Sequence, residues 1–170
     1  KSMKIKESEK KKTAYHEAGH AILAYCMPTQ DPVQQISIIP SGKALGYTLN
    51  PPVEDKFSDY KNAMKEEIAM CLAGRAAEAL VCDDISGGAS NDMERATSIA
   101  KAMVTKYGFS EKMGTMVYGH DEDGEVFLGR NISQQRGYSE TVAFEIDKEV
   151  REIIDTAYKK STEILESNKD

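Results

Sequence analysis

His16-Glu17-Ala18-Gly19-His20 decides how this chain is read. The pentapeptide has the pattern H-E-x-x-H and sits near the middle of a helical run from Ser8 to about Met27, closed by Pro28. On a helix, residues i and i+4 stand one turn apart on one face, so His16 and His20 can aim two imidazoles at one metal ion. Glu17 lies about 100° from His16 and about 60° from His20 on a helix of about 3.6 residues per turn, which keeps its carboxylate on the same side. Two neutral nitrogen ligands, a carboxylate able to take a proton and an open coordination position are what hydrolysis at zinc requires. Ala18 and Gly19 are small and uncharged, and Ala21, Ile22 and Leu23 follow at once. The second histidine therefore enters a segment suited to close packing, where a solvated face would carry charges.

The third protein ligand is not in the motif. A histidine six residues beyond His20, in H-E-x-x-H-x-x-G-x-x-H, would complete one known pattern. That position is Cys26, and Leu23 stands where the glycine should be. His120 is the remaining histidine and reads as a solvated residue of a polar stretch. Between His20 and Asn50 the one acid is Asp31, in a Pro-flanked connector. Two candidates remain farther on: Glu78, late in a second helix, and Asp92, opening a third helix after Gly87-Gly88. Spacing slightly favours Asp92, whose short carboxylate follows a loop able to approach another helix. A first-turn acid favoured by the helix dipole is the competing account of Asp92. A buried salt bridge, with Arg75 as a partner, is the competing account of Glu78.

Composition bounds the rest. The chain has 170 residues, is 40% hydrophobic and 29% charged, and carries a net charge of -6. That suits one globular domain and gives no basic footprint for nucleic acid or an anionic membrane. Three widely spaced cysteines without a C-x-x-C suit a reducing compartment. No apolar run approaches the roughly 18 residues of a membrane span, no signal-peptide pattern opens the chain, and no phosphate-binding G-x-x-x-x-G-K-[ST] loop occurs. The chain as given reads as soluble.

The fold class expected is mainly α, with a small β element beside the motif helix. Residues 1–7 read as a linker and 8–170 as the domain. Ser8 caps the first helix. Val33 to Ile39 and Leu45 to Leu49 form paired strands around Pro40-Ser41-Gly42-Lys43, either an ordinary hairpin or one whose edge receives an extended peptide. After a loop over 50–57, a helix runs from Ser58 or Asp59 to about Val81, with Met64, Ile68, Cys71, Leu72, Ala76 and Leu80 recurring at three and four. Asn91 with Glu94 resembles a capping box for a helix to Tyr107, stopped by Gly108. The stretch 119–137 is polar, with at most a short strand over 126–128. Ser139 caps a last helix to about Ser167, with Val142, Ile146, Val150, Ile153, Ala157, Ile164 and Leu165 as its apolar stripe.

Five stretches together resemble the peptidase domain of the FtsH family of membrane-anchored AAA+ zinc metalloproteases, an M41-type peptidase. They are AYHEAGHA at 14–21, ISIIPSGKALGYT at 36–48, LAGRAAEAL at 72–80, ISGGASNDMERAT at 85–97 and FLGR at 127–130. The resemblance implies one zinc per chain held by His16, His20 and Asp92, with Glu17 as catalytic base, and so lifts Asp92 above Glu78. On that basis Asp92→Ala is expected to weaken zinc binding, and Glu78→Ala is not. It further implies a largely helical domain in a homo-hexameric ring, polypeptide substrates received along residues 36–48, and ATP bound only in an ATPase module outside this chain. Membrane attachment would come from segments outside the chain, the setting being a bacterial inner membrane with this domain on the cytoplasmic side. A ring-forming structural domain with a non-catalytic metal is the alternative function.

Overall fold

The computed structural model describes residues 4–119 and 137–170. The short strand expected over 126–128, His120, the FLGR stretch and the first three residues of the linker lie outside them. The described fold is mainly α. In chain order it runs α1 (Glu7–Cys26), β1 (Gln35–Ser37), β2 (Tyr47–Leu49), α2 (Lys61–Val81), a 3-10 turn (Gly87–Ala89), α3 (Ser90–Thr105) and α4 (Glu140–Ser167).

The second helix is the hub. Ile68, Ala69, Ala73, Ala76 and Glu78 are each at most 1% exposed, so α2 is enclosed on several faces. It packs on α1, α3 and α4, and α3 also packs on α4. Leu23 of α1, Ala96, Ala100 and Met103 of α3, and Ile146, Val150, Ala157 and Leu165 of α4 close the core around it. Fully burying a Leu or Ile side chain contributes about 1.5–3 kcal/mol, which is what holds the four helices together. Ser161 of α4 is also fully buried, and its hydroxyl donates to the Ala69 carbonyl. The hairpin lies on α1, with Gln35, Ile36 and Ser37 opposite Leu49, Thr48 and Tyr47 in antiparallel register.

The approach of α1 to α2 is closer than side chains permit. A Cβ added at Gly19 would stand 2.6 Å from the Ala73 carbonyl oxygen and 2.7 Å from the Ala77 Cβ. One added at Gly74 would stand 2.4 Å from Cε1 and Nε2 of His16. The His16 ring therefore lies directly on the backbone of α2.

Several expected boundaries move. Ser8 is not the first cap: the Lys6 carbonyl already accepts the Glu9 and Lys10 amides, so α1 starts at Glu7 with no side-chain cap. Its first turn carries Glu7 and Glu9, acids favoured at the positive end of a helix dipole. At the other end Met27 precedes Pro28 and is extended, because proline disfavours helical backbone before it. Asp59 does not cap α2; its carboxylate accepts the Tyr107 hydroxyl, and the helix begins at Lys61. Asn91 is not a cap either. The backbone already turns at Gly87, where Ser86 accepts the Gly88 amide, and the turn runs straight into α3. That helix ends at Thr105, two residues early, and Gly108 beyond it is left-handed at φ 64°, a conformation that favours glycine. The Ser139 cap stands as expected, its hydroxyl accepting the Val142 amide at 3.2 Å.

Gly19→Ala tests the close crossing. Alanine gains about 0.8–1.0 kcal/mol of helix propensity over glycine. Overpacking against backbone costs about 1–3 kcal/mol. The expected result is a net loss of stability in urea denaturation; a gain would show that α1 can retreat from α2 without penalty.

Candidate metal centre

Three elements bring one group of side chains together. α1 supplies His16, Glu17 and His20; α3 supplies Asp92 from its first turn; α2 lies beneath them. Nε2 of His16 is 3.1 Å from Oδ2 of Asp92 and 3.1 Å from Nε2 of His20. Nε2 of His20 is 3.2 Å from the same Asp92 oxygen. The three atoms thus make a nearly equilateral triangle. Ligands about 2.0–2.1 Å from a tetrahedral zinc stand about 3.3–3.4 Å apart, close to these separations.

The other ring nitrogens explain why this triangle suits a cation. Nδ1 of His16 lies 3.0 Å from Oε2 of Glu78, and Nδ1 of His20 lies 2.7 Å from the Met70 carbonyl oxygen. Both partners are acceptors, so each Nδ1 carries the proton and donates it. In the neutral ring, Nε2 is then left with its lone pair. Two lone pairs and a carboxylate oxygen converge on one point, an arrangement that repels itself unless a proton or a metal ion sits between. Side-chain partners that fix the tautomer are the usual outer shell of metal-bound histidine. The donor set fits zinc: two imidazole nitrogens and one carboxylate oxygen, the composition of a three-ligand hydrolytic site. Among the described residues these are the one group of three or more His, Cys, Asp or Glu side chains placed to share an ion. No fourth protein ligand joins them there.

Protons compete for the same point. Burial lowers the affinity of His16 for a proton, but its hydrogen bonds to Asp92 and Glu78 and the charges of Asp92 and Glu17 outweigh it and raise the pKa. Burial likewise pushes Asp92 up, but the two imidazoles beside it hold its carboxyl well below the usual carboxylate range.

Glu17 is 7% exposed, and its carboxylate is held from the hairpin. The Thr48 hydroxyl lies 2.7 Å from Oε2 of Glu17 and 3.0 Å from the Glu17 carbonyl oxygen, and donates there. Glu17 also lines the space over the site. A cleft of about 550 Å³ opens over this group, walled on one side by residues 43–48. The cleft wall is thus the second strand and the turn before it, and β1 supplies none of its lining residues.

The motif residues His16, Glu17 and His20 and the candidate third ligand Asp92 are brought together. Glu78, the other candidate third ligand, lies behind His16 and touches its far nitrogen. Its second oxygen, Oε1, accepts the Ser86 amide at 3.2 Å and the Ser86 hydroxyl at 2.6 Å. The expected Arg75 partnership is absent from the contacts of Glu78 among the described residues; Arg75 instead donates from Nη2 to the Ser86 carbonyl. The contact of Glu78 with Nδ1 of His16 gives it an orienting place beside the site, which the choice between ligand and salt bridge did not include. Sequence reasoning missed Thr48, Ser86, Gly74 and the Met70 carbonyl. Thr48 had a usable signal, a β-branched hydroxyl in a strand beside the motif helix, but period-two alternation does not say which face meets α1. A main-chain carbonyl leaves no signal at all.

Cys71 lines the same cleft and is not a ligand. It stands outside the group of side chains placed to share an ion, and burial pushes its thiol up to about 12.

Comparison with known proteins gives a consistent picture. The model for peptidase family M41 matches residues 3–170. The ATP-dependent zinc metalloprotease FtsH of Caldicellulosiruptor bescii is 55% identical over 164 residues, 96% of this chain and 26% of that protein. The ATP-dependent zinc metalloprotease FtsH 2 of Alkaliphilus metalliredigens is 52% identical over 170 residues, 100% of this chain and 24% of that protein. The chain therefore spans about a quarter of the length of these curated relatives.

The thiol environment is open to a direct check. At neutral pH, a thiol reagent such as DTNB should label exposed Cys26 promptly and buried Cys71 only after unfolding. Rapid labelling of Cys71 in the folded chain would contradict the packing around the cleft.

Proposed function

The chain belongs to peptidase family M41, and from that membership we propose that it is a zinc-dependent endopeptidase domain. In it, His16, His20 and Asp92 hold one zinc ion and Glu17 is the catalytic base. The observation that carries this reading is the convergence of Nε2 of His16, Nε2 of His20 and Oδ2 of Asp92 at 3.1–3.2 Å, with both Nδ1 protons already given away.

A bound zinc ion supplies Lewis acidity, polarising a peptide carbonyl and lowering the pKa of water towards about 7. The rest is done by the chain. Glu17 takes the proton of the attacking water at Oε1 while Thr48 holds Oε2, and it then returns that proton to the leaving amine. Glu78 and the Met70 carbonyl keep the two imidazoles in the Nδ1–H tautomer. The low exposure of Glu17 and His16 limits competing water. The open edge beside residues 43–48 suits an extended peptide, whose main chain can pair with a strand edge.

The larger protein is read from the resemblance. Residues 8–170 form the peptidase domain and 1–7 its connection to an ATPase module, although α1 itself starts at Glu7. The relatives' names carry ATP dependence and zinc, and their greater length leaves room for that module. A homo-hexameric ring, unfolded or misfolded polypeptide substrates, and a bacterial inner-membrane location with this domain on the cytoplasmic side complete the reading. No helix among the described residues is long and apolar enough to cross a membrane.

Zinc content and cleavage of an unstructured peptide test the site together. The wild-type chain should retain about one zinc and cut the peptide. Glu17→Gln should keep the zinc and lose about 10²–10⁴-fold in kcat, the usual contribution of general acid–base catalysis. Asp92→Ala should lose zinc. Near-normal turnover by Glu17→Gln would remove the base assignment, and full zinc retention by Asp92→Ala would remove the third ligand.

Thr48 gives a separate test. Thr48→Val keeps the β-branched shape and deletes the hydroxyl, so kcat should fall with zinc content unchanged, and Thr48→Ser should restore much of it. Equal loss in both variants would assign Thr48 to strand packing alone.

A further inference from the structure

The metal-binding triangle draws on two chain segments far apart in sequence, and one small side chain stands between their supports. Glu78 is 1% exposed, and an ionised group so placed is tolerated only when its oxygens are well hydrogen-bonded. One oxygen serves His16. The other is served by Ser86 twice, through the amide at 3.2 Å and the hydroxyl at 2.6 Å. A donor on a carboxylate makes a hydrogen bond about twice as strong as a neutral pair, and of these two the hydroxyl contact is the shorter.

The same Ser86 oxygen also accepts the Gly88 amide at 3.2 Å. That bond caps the turn over Gly87–Ala89, which continues without a break into α3. Asp92 is the third residue of that helix. Behind Ser86, the Arg75 guanidinium donates to its carbonyl at 3.2 Å and anchors the loop to α2. One hydroxyl therefore steadies the carboxylate that orients His16 and the turn that delivers Asp92.

The geometry points to Ser86 as a positioning residue of the metal centre, setting its affinity by holding His16 through Glu78 and Asp92 through the turn. This rests on the metal site proposed above. His20 is outside this linkage, because its Nδ1 proton goes to the Met70 carbonyl. The inference therefore makes an asymmetric demand: loss of the hydroxyl loosens His16 and leaves His20 held.

The test uses the 170-residue chain, with zinc affinity read by competition against a chelator of known strength and side-chain exchange read by NMR. Ser86→Ala should bind zinc about 10–100-fold more weakly, the usual cost of removing an outer-shell partner. Ser86→Thr, which keeps the hydroxyl, should recover most of that loss. In the zinc-loaded protein, the Nδ1 proton of His16 should exchange faster in Ser86→Ala than in wild type, and that of His20 should not. Circular dichroism showing wild-type helix content separates this from misfolding. Unchanged affinity in Ser86→Ala overturns the inference, as does equal weakening in the Ala and Thr variants, or equal acceleration at both histidines. A wild-type chain that holds no zinc overturns the metal-site reading and this inference with it. Zinc lost on His16→Ala but kept on Ser86→Ala overturns this inference alone.

Discussion

The bare contact between α1 and α2 is the constraint on which the rest depends. Gly19 brings the α1 backbone against the Ala73 carbonyl, and Gly74 lets the His16 ring lie on α2. A side chain at either position would lift α1 away. His16 would then lose Glu78, which comes from the buried face of α2, and His20 would lose the Met70 carbonyl. The helix crossing that closes the core is thus the same one that sets the imidazoles. The alanines of α2 serve both ends, since Ala73 and Ala77 meet Gly19 while Ala69 and Ala76 are sealed within the core.

Electrostatics then sets what the crossing is for. Three acceptor atoms converge, and the two imidazole nitrogens among them are turned there because Glu78 and the Met70 carbonyl take the Nδ1 protons. In a stable core such convergence is a cost, because like partial charges at about 3 Å repel strongly where water is scarce. The fold tolerates it through the surrounding donors and the buried apolar surface of four helices. The strain is confined to the mouth of the cleft, where a cation can relieve it.

Much of this was legible from the residues. The i, i+4 spacing of His16 and His20 placed both rings on one face, and the apolar recurrence of Met64, Ile68, Cys71 and Leu72 marked the hub helix. Gly108 and Ser139 marked a helix end and a helix start because their chemistry acts locally. Ser8, Asp59 and Asn91 misled for the opposite reason. Each can cap a helix, but a neighbouring carbonyl, a tyrosine hydroxyl 48 residues away and a preceding turn decided the matter. The choice between Asp92 and Glu78 was open on spacing because both carboxylates do reach His16, from opposite sides of its ring. Which side faces the cleft is a property of the helix crossing, and local sequence does not encode it.

The two histidines differ in what inheritance can do to them. The acceptor behind His16 is a side chain, so a single codon can shorten it, neutralise it or alter the serine that steadies it. The acceptor behind His20 is the main-chain oxygen of residue 70, which survives every substitution at that position except one that displaces the helix itself. Substitution can therefore shift one imidazole by small steps while the acceptor behind the other stays fixed by the backbone. A change of side chain at residue 70 alters the lining of the cleft and leaves the acceptor behind His20 in place.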